Sequence, residues 1–328
     1  MLKQLAALPP PGGQTIRKAS HIAQLAAWSS VEACTVMWLR AAPSTLKLDK
    51  GRNVERWEDI SGRDNHAFAC SGQRAPTYVR ARPPAAAAAA VCNGVAPHRR
   101  DGILLTRFPR AVRLQVANAL SSAQGESQGA LEFDRCQLAT APFATPLPQP
   151  LTIMLVARAR GDVTLIDALT PRSPRFEVCH GYPTADIVSR SAPHVCMTAN
   201  GSGEIAPEPK RLLRGRTRST DAWHLYTCIF DGDKSELYVD GIKEAGGKAV
   251  GHAHLDGIRI GCDHTGTFFL TGMMAELRIF SCHLCPTLRA QLEAAMALRY
   301  GLQPATKPAA AAAACAQVGI RLRRASSS

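Results

Sequence analysis

Along most of the chain, apolar and polar positions change over in short stretches. Residues 151–157, Leu-Thr-Ile-Met-Leu-Val-Ala, form a nearly continuous apolar run bounded by Pro150 and Gly161. That is the pattern of a strand covered on both faces. Residues 223–230 and 235–240 read as two further strands, separated by the turn chemistry of Asp231-Gly232-Asp233-Lys234. In the second of them Leu237 and Val239 share one face and Glu236 and Tyr238 the other. Residues 258–261 and 274–280 continue the pattern. Short strands punctuated by Gly and Asp at intervals of roughly 8–12 residues predict an antiparallel sandwich. One helix is predicted, Pro286–Tyr300. Proline suits its first turn, Leu288, Leu292 and Ala295 recur at helical steps, and Gly301 suits the stop. The expected fold is all-β with a helical appendage.

Two low-complexity stretches interrupt this reading: Arg82-Pro83-Pro84 followed by the alanines 85–90, and Pro308 followed by the alanines 309–314. Six alanines are too few for an isolated helix to hold. The expected organisation is a flexible basic leader over 1–33, a domain over 34–301 with an insertion at about 80–128, and a loose tail over 302–328. In the leader, the prolines 9–11 break the only candidate for a secretory signal. Its lack of acids up to residue 31 leaves a mitochondrial presequence as an alternative.

Composition refines the picture. Hydrophobic residues make up 46% of the 328 and charged residues 20%, which excludes wholesale disorder. No apolar run approaches the ~18–20 residues of a spanning helix. The 11 cysteines are an odd number at irregular spacing, and many lie among apolar neighbours, as Cys228 does. This favours buried free thiols over a disulfide framework, and so an intracellular, reducing compartment, cytoplasmic or cytoskeletal.

Several motifs in order resemble one family. Trp38-Leu39-Arg40-Ala41, then Trp57-Glu58-Asp59-Ile60-Ser61-Gly62-Arg63-Asp64-Asn65-His66-Ala67, are similar to the opening of laminin-G-like jelly rolls of the concanavalin A-like lectin/glucanase superfamily. Residues 130–134 and 150–153 resemble its next core strands, residues 235–241 its central hairpin, and residues 272–280 its closing strand. Arg40 departs from the pattern, where the family usually has an acid. The resemblance implies a two-sheet antiparallel jelly-roll sandwich with one C-terminal helix. For function it implies only a choice among lectins, hydrolases, adhesion modules and scaffolds. Independently of the family, Asp59, Ser61, Gly62, Asn65 and His66 predict a long ordered turn, and Trp38 and Trp57 supply core area.

Candidate catalytic chemistry is sparse. A glycosidase needs two carboxylates at a set separation. The nearest groupings are Glu55 with Glu58 and Asp59, inside the turn motif, and Glu204 with Glu208, around a proline. No serine-nucleophile elbow and no phosphate-binding glycine loop occurs. Cys282-His283-Leu284-Cys285 could be half of a zinc site, with Cys262 and His264 as the other half. Asp231, Asp233 and Asp263 are loop acids that could reach calcium, although six to eight oxygens are needed. The expectation is therefore no cofactor and no catalysis.

Charge points elsewhere. Lys and Arg number 39 against 26 acids, a net +13. Lys210, Arg211, Arg214, Arg216 and Arg218 form one basic run, and Arg99, Arg100, Arg107, Arg110 and Arg113 a second inside the insertion. Arg321, Arg323 and Arg324 close the chain. Like charges repel, so unbroken runs favour an acidic partner. Aromatic interleaving for base stacking is missing, which disfavours sequence-specific nucleic-acid reading. The expected function is a non-catalytic module that docks on an intracellular assembly through rim loops and basic patches. A lectin-like carbohydrate-binding module is the alternative, and a degenerate glycosidase a third reading.

Overall fold

The computed structural model describes residues 29, 31–80, 129–169, 176–181, 193–200 and 211–302. Most of the expected leader, insertion and tail, with their alanine runs, lies outside these residues.

The strands follow in chain order as β1 (Thr35–Arg40), β2 (Leu46–Leu48), β3 (Val54–Trp57), β4 (Ala67–Ala69), β5 (Thr77–Arg80) and β6 (Gly129–Asp134). Next come β7 (Leu138–Thr140), β8 (Leu151–Arg160), β9 (Val163–Ala168), β10 (Phe176–His180), β11 (His194–Ala199) and β12 (Leu213–Arg218). The last are β13 (Thr220–Phe230), β14 (Glu236–Val239), β15 (Ile242–Gly246), β16 (Ile258–Ile260) and β17 (Thr271–Phe280), followed by helix α1 (Pro286–Tyr300). They form two antiparallel sheets. One runs β15-β14-β13-β8-β17-β6-β5, with β1 also on β17; the other runs β12-β11-β10-β9-β16-β7-β4-β3-β2. Strand β17 pairs with β6 through residues 271–274 and with β1 through residues 276–280, so two short strands share one flank of a long one.

The two-sided burial expected of residues 151–157 is observed. On β8, Ile153, Leu155 and Ala157 enter the core between the sheets, while Met154 and Val156 face α1. The helix covers the outer face of the first sheet through Leu292, Met296 and Tyr300. Its buried stripe is displaced from the expected one, since Leu288 is only partly buried and Ala295 half-buried. Gly301 ends the helix in the left-handed region at φ 64, and its N–H bonds back to Leu298 O. The architecture is a β-sandwich with one C-terminal helix.

Candidate binding surfaces

The turn after β3 is built around one carboxylate. Asp59 Oδ1 accepts from Trp38 N at 2.8 Å and Ser61 N at 2.9 Å. Its Oδ2 accepts from Ser61 Oγ at 2.8 Å and Asn65 N at 3.0 Å. The Asp59 N–H donates to His66 Nδ1 at 2.9 Å, and Asn65 Nδ2 donates to Val36 O at 2.8 Å. Gly62, at φ 81, makes the bend. Trp57 is fully buried, and Trp38 is half-buried with Nε1 donating to Glu276 Oε1 at 2.9 Å. All these side chains are engaged by the fold itself.

Of the first basic run, Arg211, Arg214, Arg216 and Arg218 are described and Lys210 is not. Arg214, Arg216 and Arg218 occupy alternate positions of β12 and are exposed, while Leu213 and Gly215 are buried and Thr217 is half-buried. The register of β12 against β11 shifts between Arg214 and Arg218, so what the three arginines share is exposure on one edge strand. Strand β12 is the edge of its sheet, and edges present unpaired donors. Here Glu244 of β15 takes them. Its Oε2 accepts from Arg216 N at 2.8 Å and Thr217 N at 3.0 Å, and Oε1 accepts from Thr217 Oγ1 at 2.6 Å. A Cβ on Gly215 would stand 2.5 Å from Glu244 Oε2, so glycine is what lets the carboxylate reach the backbone. Arg99, Arg100, Arg107, Arg110 and Arg113 lie outside the described residues.

A second surface was not legible in the sequence. An open cleft of ≈ 660 Å³ lies at the other edge, where the β2–β3 turn meets β5 and β6. Asp49, Asn53, Gln73, Arg74, Thr77, Glu132 and Asp134 line it. Asp49 anchors the turn by accepting from Gly51 N, Asn53 N and Asn53 Nδ2, each at 2.8 Å. The Asn53 side-chain bond, ahead of the backbone bond from the same residue, holds the Asp49 carboxyl below its ordinary value. Thr77 stands directly across from Glu132 in the β5–β6 ladder. Glu132 and Asp134 are exposed at the cleft, and Arg74 reaches Asp134 at 4.0 Å. The cleft thus offers an amide and both signs of charge.

Several of the carboxylates and metal-ligand types picked out in the sequence are bonded to other protein groups. Six carboxylates are buried among the described residues: Asp59, Asp167, Glu177, Asp263, Glu276 and Glu293. Each accepts hydrogen bonds from protein groups. Glu276 is the extreme case, because burial alone would push its carboxyl up, yet Arg278 and Arg299 bring it down to about 2. Glu55 pairs with Lys47 at 3.1 Å and Glu58 with Arg56. The two halves of the candidate zinc site do not come together. Cys262 is buried against Gln137, His264 bonds Asp167, and Cys282 meets Cys34 instead. The candidate calcium acids part likewise: Asp231 binds His283 at 2.8 Å, and Asp263 is held by Thr265 and Thr267. No group of three ligand-type side chains is gathered among the described residues. Nor is any described helix long and apolar enough to cross a membrane.

Residues 190–287, which run from β11 through the closing strand β17, match the family model Laminin_G_3, described as concanavalin A-like lectin/glucanases superfamily. Over those residues the chain is similar to that family, and the two-sheet sandwich is consistent with a jelly roll. Its sheet order and C-terminal helix agree with the fold that the Trp38 and Trp57 motifs imply. No curated protein matches the chain's sequence. Among solved structures, domain 4 of AbnA, an extracellular arabinanase from Geobacillus stearothermophilus, in complex with arabinotriose, is similar at 11% identity and TM-score 0.46. The match covers 79% of this chain and 98% of that one. A sialidase from Trypanosoma rangeli in complex with sialic acid matches at 9% identity and TM-score 0.44, over 88% and 40% of the two chains. The botulinum neurotoxin serotype D ligand-binding domain in complex with N-acetylneuraminic acid matches at 11% and 0.44, over 82% and 52%. The chain thus spans about half or less of the last two.

Proposed function

We propose that this β-sandwich is a non-catalytic binding module that docks on an acidic protein surface inside the cell. The observation that carries the reading is the edge strand β12, on which Arg214, Arg216 and Arg218 are all exposed. Because Glu244 already occupies the backbone donors of Arg216 and Thr217, the edge is not offered for strand addition. What remains to recognise is charge. Guanidinium groups pair with carboxylates in forked hydrogen bonds, and such pairing steers association at low salt. The intracellular part of the reading rests on the 11 cysteines, an odd number at irregular spacing. The test is affinity capture of the tagged full-length protein from its own cells, beside a variant with Arg211, Arg214, Arg216 and Arg218 replaced by serine. The expected result is a partner set that the wild type retains at low salt and that both added salt and the substitutions release. Equal retention by the variant overturns the reading.

The polar cleft favours a second reading, a carbohydrate ligand. The exposed acids Glu132 and Asp134 with Arg74 and the amide nitrogen of Gln73 form a donor-and-acceptor set suited to sugar hydroxyls, while Asn53 is bonded to Asp49 and to the Thr77 hydroxyl. A glycan array probed with wild type and with Asp134→Ala checks it. Binding that survives the substitution unchanged counts against the cleft.

A further inference from the structure

Cys34 lies just before β1 and Cys282 just after β17, so the pairing of those strands brings the two ends of the sandwich together. Cys282 Sγ lies against Cys34 Sγ, 2.6 Å away. Both backbones are held in place. Ser281 N donates to Cys34 O at 2.8 Å, and Thr152 Oγ1 donates to Cys282 O at 2.8 Å. Both side chains are half-buried against the layer between the first sheet and α1, and Cys285, at the helix N-terminus, is exposed. In the second sheet, Cys179 and Cys196 stand directly across from each other in β10 and β11, and their thiols bond Gly181 O and His194 O.

We propose that Cys34 and Cys282 are a dithiol–disulfide couple, a modification site whose co-reactant is a low-molecular-weight disulfide such as oxidised glutathione. In the first step the Cys34 thiolate attacks one sulfur of the glutathione disulfide. A mixed disulfide forms, the S–S bond of the reagent breaks, and one glutathione thiolate leaves and takes up a proton. In the second step the Cys282 thiol loses its proton and attacks Cys34 Sγ, and the second glutathione thiolate leaves. Two protein thiols are oxidised, and one disulfide is reduced to two thiols. Burial, and then the contact with Cys34, push the Cys282 thiol up to about 12. That makes it a poor opening nucleophile, whereas the second, intramolecular attack tolerates a small thiolate fraction because its target is already adjacent. The bond would tie the entry of the first strand to the exit of the last. Cross-links closing long loops constrain the unfolded chain most.

The experiment equilibrates the full-length protein in glutathione buffers from fully reduced to fully oxidised, blocks the remaining thiols and digests without reduction. The expected product is a peptide pair joining Cys34 to Cys282, appearing with oxidation. It should be absent from Cys34→Ser and Cys282→Ser and retained in Cys285→Ser. The thermal midpoint of the wild type should rise on oxidation, and that of Cys34→Ser should show no such rise. Full alkylation of both cysteines in the fully oxidised buffer overturns the proposal. So does a cross-link from either one to any other cysteine, or Cys179–Cys196 forming in place of Cys34–Cys282. The wild-type map alone decides, so a variant that fails to fold leaves the test intact.

Discussion

The indole Nε1 of Trp38 donates to Glu276 Oε1 at 2.9 Å, joining the first strand to a fully buried carboxylate on the last. Arg278 lies over the same indole ring, 4.0 Å from its centroid, and donates to Glu276 from Nε at 2.6 Å. From α1, Arg299 Nη1 reaches both oxygens at 3.0 and 2.8 Å. One carboxylate therefore fastens β1, β17 and the helix. Glu276→Gln should cost about 3–5 kcal/mol, because two buried guanidinium groups lose their counter-charge. Trp38→Phe, which removes one donor of several, should cost about 1–2 kcal/mol. Urea unfolding of the two variants checks the order, and equal losses would contradict it.

Acid should lower the stability of the protein in two successive pH windows. His180 is buried, with Nε2 2.9 Å from the Tyr226 hydroxyl, and burial takes its pKa from 6.5 down to about 4. Between those values the unfolded chain binds a proton that the folded chain does not, so stability falls as pH drops through that window. The loss is on the order of 3 kcal/mol. Glu276 then adds a second loss between 4.5 and about 2, since its folded carboxylate resists protonation. Denaturant midpoints from neutral pH down to about 3 should show both limbs, and His180→Gln should flatten the first alone.

Asp59 should be harder to replace than an exposed turn acid. Asp59→Ala strands Trp38 N, Ser61 N and Asn65 N, for about 2–4 kcal/mol. Asp64→Ala, at an exposed position of the same turn, should cost under about 1 kcal/mol. Thermal midpoints of the pair separate an anchoring carboxylate from a solvated one.

Two glycines of one segment should respond differently to alanine. At Gly251, φ is +102° and a Cβ would lie 1.9 Å from Ala199 O, whereas at Gly247, φ +72°, a Cβ meets nothing within 4 Å. Gly251→Ala should cost about 2–5 kcal/mol, from strain and collision together, and Gly247→Ala about 1 kcal/mol. Equilibrium unfolding reads both.

Glu244 should guard the edge of the second sheet. Glu244→Leu removes the acceptor for Arg216 N and Thr217 N, so β12 regains open donors. The variant should self-associate, seen by light scattering as concentration-dependent growth that the wild type lacks.

The strands and the helix were legible because their signals are local. Alternation of residues 236–239 told which side chains of β14 share a face, and Tyr238 does bond Glu236 at 2.6 Å. Pro286 and Gly301 marked both ends of α1. The Asp59 turn was legible for the same reason in its Ser61 and Asn65 bonds, which span 2 and 6 positions, whereas the bond from Trp38 N spans 21 and was not.

The order of strands in the sheets, and everything that depends on it, was decided by tertiary structure. Glu244 reads as one more charged strand residue until β15 is set beside β12, and Asp49, Gln73 and Asp134 share a cleft only because β5 pairs with β6. Cys282 looked paired with Cys285 by spacing, yet it meets Cys34, 248 positions away in sequence. Propensity and turn chemistry act over a handful of residues. Burial instead selects contacts between elements far apart in the chain, where loop closure costs little more for a long connection than for a short one. Local pattern therefore determined which segments are strands and which side of each is apolar, while packing of the two sheets decided which side chains meet.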